Sequence, residues 1–402
     1  MKVLGFVEGV RSDAGGVGLI GVPGIHRALA SRGNRDALAI AGQPMTTARP
    51  ILGDCLEGVF DTQPESSATA VSFPAFGRWY YAPGLYSGAS AAARHADFIT
   101  MHSLFSYPVL VGYVLARRLG KPYGLWPHGV LAPIQRQVGR RKKAMYSPLA
   151  RRILDSAAVL FFSAEGERDE ALACGLKAPS VVVPHGIELG QFANLPERGA
   201  FRQKFLNGHS GPMVLYLGRL NVKKGLDLLI DAMRRVVRDI PNVRLVIAGA
   251  GHPPAFVDDV KRWLAAAELS DVAILTGLLD EGDKLTAFAD TDVFVLPSAA
   301  ENFGFSMFEA MASRRAIVCS DTVNYASEVR DKKAGLVVPR TAEAFGEAIS
   351  SLLRDSGKRR ALADCALMLA GNYSWESCGE RLEVAINCVL TGEQFPSSLN
   401  PA

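Results

Sequence analysis

Two acids and two bases in the C-terminal half have the types and spacing of a binding site. Glu301 and Glu309 stand with seven residues between them in Pro297-Ser298-Ala299-Ala300-Glu301-Asn302-Phe303-Gly304-Phe305-Ser306-Met307-Phe308-Glu309. The apolar run Val293–Leu296 before them reads as a strand, Ser298–Gly304 as the loop at its carboxyl end, and the residues from Phe305 as a helix. Amides at such a helix start can hold phosphate or sugar oxygens. A carboxylate only accepts hydrogen bonds, so it can take both protons of a vicinal diol. Phe308, Ala310 and Met311 surround Glu309, which argues against a wholly exposed helix face. Arg219 and Lys224 lie five residues apart in Gly218-Arg219-Leu220-Asn221-Val222-Lys223-Lys224-Gly225, after the apolar run Met213–Leu217 and before a helix read over Lys224–Arg238. A guanidinium fork and an ammonium near a helix start suit a diphosphate leaving group. An isolated pair of this kind also reads as charged surface, and the strand–glycine–helix context decides for the site.

The elements that must position these residues alternate almost throughout, short apolar runs with longer amphipathic ones, the rhythm of βα units and parallel sheets. Strands are read at Lys2–Val7, Ala37–Ala41, Phe98–Met101, Tyr123–Trp126, Ala158–Phe162 and Ser180–Val183, with helices at Gly18–Ser31, Val109–Leu119, Lys142–Leu154 and Ala164–Cys174. The second half restarts with strands Met213–Leu217, Val243–Ala248, Ala273–Leu275, Val293–Leu296 and Ala316–Cys319. Its helices are Lys224–Arg238, Pro254–Ala267, Lys284–Phe288, Phe305–Ser313, Ala342–Leu353, Lys358–Leu369 and Trp375–Leu390. Gln43–Ser90 is less regular and holds extra strands and loops, and the polar stretch Glu188–Gly211 reads as the interdomain connection. Doubly wound sheets bind ligands outside the carboxyl ends of their strands, so two facing sheets place the site in the cleft between them.

Three further features belong to those strand ends. Gly15, Gly16 and Gly18 open the first helix and expose amides to an anion, or make a plain tight turn. The pattern Gly16-x-Gly18-x-x-Gly21 has no acid at the end of the second strand, about 20 residues on, where a ribose contact is expected, which weighs against a dinucleotide enzyme. His102 and His128 each end a strand, where a histidine either packs structurally or hydrogen-bonds a sugar hydroxyl. From Phe98 to Leu154 there is no acid, and the basic stretch 117–152 is either a solvated helix face or a surface for anionic lipid.

Composition narrows the class. In 402 residues, 49% are hydrophobic, enough for sizeable cores. The net charge of +4, from 44 basic and 40 acidic residues, does not favour nucleic acid as a partner. The six cysteines form no C-x-x-C pair, so a zinc site or disulfide framework is not expected. The start of the chain lacks a leader pattern, and no run approaches about 18 apolar residues, so the expected address is cytoplasmic.

Together these residues resemble the retaining glycosyltransferases of family 4, which have the GT-B fold. The resemblance spans nearly the whole chain through Gly15-Gly16, His128-Gly129, Gly218-Arg219…Lys224-Gly225 and Glu301-x7-Glu309. His102-Ser103-Leu104-Phe105, Trp126-Pro127-His128-Gly129-Val130-Leu131 and Val323-Asn324 before Gly335-Leu336-Val337-Val338 are similar to members that build bacterial exopolysaccharide or other surface glycans. It implies two α/β Rossmann-like doubly wound domains facing across a cleft. An acceptor-side domain would span 1–190, a nucleotide-sugar domain 205–374, and the segment 375–402 would cross back to the first. It implies that Gly218, Arg219 and Lys224 cradle the donor diphosphate and that Glu309 holds the nucleotide ribose. Glu301 and the backbone of Asn302, Phe303, Gly304 and Phe305 would hold the donor sugar. The Gly15-Gly16 loop would contact phosphate or acceptor, His128 would lie near the transferred sugar, and His102 on the acceptor side. Arg219, Lys224, Glu301 and His128 are the implied catalytic set.

The implied co-substrate is a UDP- or GDP-sugar, without bound metal, and the acceptor a glycan or lipid-linked molecule, with peripheral contact to the inner face of an anionic membrane. The departing phosphate would help deprotonate the acceptor while Arg219 and Lys224 stabilise its charge. The family's Gly-x-Pro-Val after the second acid is replaced here by Arg314-Arg315-Ala316-Ile317-Val318, so a different local turn is expected. GT-B folds also host sugar-nucleotide epimerases and phosphorylases, and a non-catalytic sugar-nucleotide-binding protein is the third reading. No pyridoxal lysine site is recognisable for a glycogen-type phosphorylase, and the complete set Arg219, Lys224, Glu301 and Glu309 argues against a degenerate site.

Overall fold

The computed structural model describes residues 1–9, 20–42, 50–52, 56, 58–60, 68–77, 79–131 and 140–399. Gly15, Gly16, Gly18 and Arg136 lie outside the described residues, and of residues 140–146 only the backbone is described. The chain forms two compact units, Met1–Gly186 with Trp375–Ala402, and Ile187–Ser374.

The first unit holds β1 (Lys2–Glu8), β2 (Arg35–Ala41), β3 (Pro50–Leu52), β4 (Ala68–Phe73), β5 (Phe98–His102), β6 (Tyr123–Trp126), β7 (Val159–Phe162) and β8 (Ser180–Val182). They lie in the order β3-β4-β2-β1-β5-β6-β7-β8, every pair parallel. The second holds β9 (Met213–Leu217), β10 (Arg244–Ala248), β11 (Ala273–Gly277), β12 (Val293–Leu296), β13 (Ala316–Ser320) and β14 (Leu336–Val338). Their order is β11-β10-β9-β12-β13-β14, again all parallel. Helices cover both faces of such sheets, so the central strands are continuous apolar runs. Val293, Phe294 and Val295 have no exposed surface, nor have Phe98, Ile99 and Met101. Polar exceptions include Asp36, Thr100 and His102, which sit buried within β2 and β5.

Helix Leu226–Asp239 shows how side-chain spacing sets packing. Leu226, Leu229, Ile230, Met233 and Val236 make one buried stripe, which lies against helix Ala342–Arg354. The helix begins two residues later than the sequence suggests. Asn221 accepts from the Lys223 amide at 3.0 Å and closes a 3-10 turn over Val222–Lys224, so Lys224 stands ahead of the helix proper. Asp280 accepts from the Asp283 amide at 2.7 Å and starts helix Glu281–Asp290, longer at both ends than the expected Lys284–Phe288.

The stretch Glu188–Gly211 contains two short helices, Leu189–Ala193 and Ala200–Phe205, within the second unit. The fully buried Asp290 fixes the second of them, accepting from the amides of Gly199 at 2.5 Å and Arg202 at 2.9 Å. Arg314 occupies the left-handed region at φ +55°, so here a non-glycine residue carries the turn for which the family uses glycine. Its guanidinium pairs with Asp364 at 2.5 Å. The final helix Trp375–Thr391 belongs to the first unit and packs on helix Val22–Ala30. The contact is close because Gly24 faces Trp375 and Gly379 faces Ala28.

Candidate active site

In the second unit β9 is the earliest strand, with β10 on one side and β12 on the other. The chain order reverses between β9 and β12, which makes their carboxyl ends the switch point where open α/β sheets bind ligands. The two loops singled out in the sequence leave those two strands. They are tied together by a 2.7 Å hydrogen bond from the Ala299 amide to the Lys223 carbonyl. Ser320, the last residue of β13, and Thr322 just beyond it donate to the Ser298 carbonyl at 2.5 and 2.9 Å and fix the start of the second loop.

The structure brings Lys224 and Glu301 into direct contact. Lys224 Nζ donates to Glu301 Oε1, and Ser298 Oγ donates to the same oxygen at 2.8 Å. Both charged side chains are mostly buried, 16% and 13% exposed. Arg219 is exposed and, among the described residues, its guanidinium takes no hydrogen bond or ion pair. Its carbonyl accepts from the Tyr216 phenol at 2.8 Å. Burial, and then the Glu301 charge, hold that phenol well above its ordinary pKa. One cation at this strand end is thus neutralised by a carboxylate, while the other is open to an anion.

Gly304 adopts φ +81° immediately before helix Phe305–Ala312, a backbone that favours glycine. Glu309 lies in that helix with only 6% of its surface exposed. Its Oε1 accepts from Lys284 Nζ at 2.9 Å, and among the described residues Oε2 takes no hydrogen bond. Lys284 comes from helix Glu281–Asp290 and lies 5.6 Å from the centroid of the Phe192 ring. The loop itself is held from β13 onward: the Asn324 amide donates to the Glu301 carbonyl and Asn324 Nδ2 to the Asn302 carbonyl, both at 3.3 Å. Phe303 turns inward and stacks on Phe308 at 4.3 Å, so its backbone, not its ring, faces the loop.

In the first unit His102 ends β5 and His128 follows β6. The structure joins them, with His102 Nδ1 and His128 Nε2 3.0 Å apart. His128 has φ +51°, and the next amide, that of Gly129, donates to Glu167 at 2.6 Å. Glu167 also accepts from Ser163 N and Oγ at 2.9 and 2.8 Å, a buried carboxylate that fixes the turn after His128. Burial, and then the neighbouring rings His26, His128 and His185, push His102 well below the ordinary imidazole pKa. Burial and His185 do the same to His128. Both rings are therefore neutral near pH 7.

Sequence reasoning missed Lys284, Ser298, Asn324, His26 and Asp36. Ser298 stands three residues before Glu301 in the same loop, an offset that brings its hydroxyl to the carboxylate. Lys284 and Asn324 lie 25 and 23 positions from Glu309 and Glu301, and only the fold brings them there. Among the described residues no group of three or more His, Cys, Asp or Glu is placed to hold a metal ion. Among the same residues no helix is long and apolar enough to cross a membrane.

Two all-parallel α/β units, with paired charges at a strand switch point, are the architecture of a GT-B glycosyltransferase. Comparison with known proteins identifies the family. Residues 197–366 match the glycosyl transferases group 1, and residues 25–186 match the glycosyl transferase 4-like domain. The chain belongs to the family 4 glycosyltransferases and is an enzyme of that class. It is 26% identical over 318 residues to a D-inositol 3-phosphate glycosyltransferase of Kineococcus radiotolerans, covering 74% of this chain and 72% of that one. It is 29% identical over 205 residues, half of each chain, to a phosphatidyl-myo-inositol mannosyltransferase of Mycolicibacterium smegmatis. In fold it is similar to sucrose-phosphate synthase from Thermosynechococcus elongatus, with TM-score 0.77, 21% identity, and coverage of 98% of this chain and 100% of that one. It is similar also to HepE of Anabaena in complex with UDP and glucose, with TM-score 0.76, 18% identity and coverage of 96% and 100%.

Proposed function

We propose that this glycosyltransferase moves a sugar, with retention at the anomeric carbon, from a UDP- or GDP-sugar to a glycan or lipid-linked acceptor of surface polysaccharide. The observation that carries the reading is the Lys224–Glu301 contact beside an uncommitted Arg219 at the β9/β12 switch point. Arg219 and Lys224 take the diphosphate, Glu309 the ribose, and Glu301 with the backbone of Asn302–Phe305 the donor sugar. The loop with Gly15 and Gly16 takes phosphate or acceptor. In this reading His128 serves the transferred sugar and His102, 3.0 Å from it within the first unit, the acceptor side. The Anabaena neighbour binding UDP and glucose, and the relatives named for inositol phosphate and phosphatidylinositol acceptors, support donor and acceptor classes of this kind. The departing diphosphate takes the acceptor proton, and Arg219 with Lys224 stabilises the charge left on it.

Incubation with UDP-glucose, UDP-N-acetylglucosamine and GDP-mannose, each radiolabelled, tests donor use through release of free sugar or transfer to extracted glycan. Proton NMR of the sugar first released should show the donor's own α configuration. A β anomer as first product would overturn retention, and no release or transfer from any nucleotide sugar would overturn the transferase chemistry assigned to these residues.

The membrane part of the proposal rests on the one-signed run from Phe98 to Leu154. Arg151 is already engaged with Asp155 at 2.5 Å and Arg118 with the Tyr86 hydroxyl at 2.8 Å, so the remaining bases must supply the attraction. Phosphatidylglycerol vesicles should bind the protein at low salt and release it as salt rises. Equal binding to phosphatidylcholine vesicles at every salt concentration would reject this contact.

A further inference from the structure

Unit 1 buries a line of polar groups that the donor chemistry does not use. Asp36 on β2, His26 on helix Val22–Ala30 and His102 on β5 are each 1% exposed or less. Asp36 Oδ1 lies 2.6 Å from His26 Nδ1, and His26 Nε2 lies 2.8 Å from His102 Nε2. His102 Nδ1 then meets His128 Nε2 at 3.0 Å. The line crosses three strands, β2, β1 and β5, and β1 gives way at Gly5. Gly5 pairs with Leu38 on one side and Thr100 on the other, and a Cβ there would stand 2.6 Å from His26 Cε1. Among the described residues no hydrogen bond reaches the last nitrogen, Nδ1 of His128.

The bonding order of such a line is not free. A neutral imidazole has one N–H and one lone pair. Burial raises the Asp36 pKa and the His26 contact opposes that rise; as a carboxylate Asp36 accepts, so His26 carries its proton on Nδ1 and offers Nε2 as a lone pair. His102 must then donate from Nε2, with Thr100 Oγ1 at 3.1 Å sharing that proton, and must accept at Nδ1. His128 must donate from Nε2. We propose that Asp36, His26 and His102 are positioning residues that set the tautomer of His128, so that its Nδ1 is presented as a hydrogen-bond acceptor. Reversing the order would require a second proton on the Asp36–His26 pair, which would turn the two His–His bonds around and make His128 Nδ1 a donor. Burial and ring neighbours keep His102 and His128 neutral near pH 7, as a line with one proton per ring requires. A buried polar line of this length costs desolvation that an apolar core would avoid.

The catalytic meaning rests on His128 facing the transferred sugar, where an acceptor nitrogen selects a sugar hydroxyl as donor. The order itself is measured without any nucleotide sugar, so its failure is separate from failure of the transferase chemistry. The full chain, labelled with nitrogen-15 in the histidine rings, is recorded at pH 7 by long-range proton–nitrogen correlation. The expected result is His26 protonated on Nδ1, and His102 and His128 on Nε2. Nitrogen–nitrogen couplings across the hydrogen bonds should link His26 to His102 and His102 to His128. His26 protonated on Nε2, or His102 on Nδ1, would overturn the proposal. In Asp36→Ala the carboxylate no longer imposes the order, and the His26 proton should move to Nε2. A folded Asp36→Ala that keeps it on Nδ1 would remove Asp36 from the line. If that variant does not fold, the wild-type spectrum decides alone.

Discussion

Lys224→Ala should lower the rate of nucleotide release from the donor by about 100- to 1000-fold, the usual loss when one group stabilising a transition-state charge is removed. The apparent donor affinity should change far less, because Arg219 remains to hold the ground-state diphosphate. The reason lies in how the ammonium is held. Lys224 Nζ rests on Glu301 Oε1, and both side chains are mostly buried, so its charge acts at the strand end through little water. With no donor bound, Glu301 balances that charge. As the bond to the sugar breaks, the diphosphate gains charge beside an ammonium that needs no reorganisation.

The substitution also leaves Glu301 with Ser298 as its remaining side-chain partner, a partly buried carboxylate without a cation. That costs stability, on the order of 1–2 kcal/mol once the partial exposure of the pair is allowed for. Lys224→Ala combined with Glu301→Gln separates the two effects. The double variant should regain most of the lost Tm and none of the turnover. Turnover of Lys224→Ala within threefold of the unsubstituted protein would remove Lys224 from the chemistry.

The parts of this molecule that were legible in the sequence follow one physical rule. A strand covered on both faces must be apolar throughout, so Val293–Leu296 and Met213–Leu217 could be read end to end, and with them the loops at their carboxyl ends. What the sequence hid follows the complementary rule. Asp36 interrupts an apolar strand and was therefore read as lying outside it, beginning the strand at Ala37. In fact it is the second residue of β2 and fully buried, paired with a histidine that helix periodicity assigns to packing. Helix Leu85–His95 was missed because Leu85-Tyr86-Ser87-Gly88-Ala89-Ser90-Ala91-Ala92-Ala93 buries small residues, which give weak periodicity. The start of helix Leu226–Asp239 shifted because a side-chain cap at Asn221 outcompeted it locally. Lys284 could not be placed at Glu309 from spacing, since the contact joins two helices far apart in the chain.

That last contact carries the second large effect. Glu309→Ala should weaken UDP or GDP binding by about 10- to 100-fold, the loss of hydrogen bonds to a charged acceptor. Glu309 is buried in the first turns of helix Phe305–Ala312, with Oε1 taken by Lys284 and Oε2 free of hydrogen bonds among the described residues. A ribose diol would donate one proton to each oxygen, sharing Oε1 with the lysine. Loss of affinity alone would not prove this, because alanine also leaves Lys284 without its carboxylate. The decisive measurement is a cycle in which the ligand is truncated too. For UDP the substitution should be costly; for 2′,3′-dideoxy-UDP it should cost almost nothing, since the groups Glu309 would hold are already gone. A coupling of about 1–2 kcal/mol between side chain and diol is expected. A coupling near zero would instead make Glu309 the carboxylate that anchors Lys284 beside Phe192, and the ribose would have to be held by another part of the second unit.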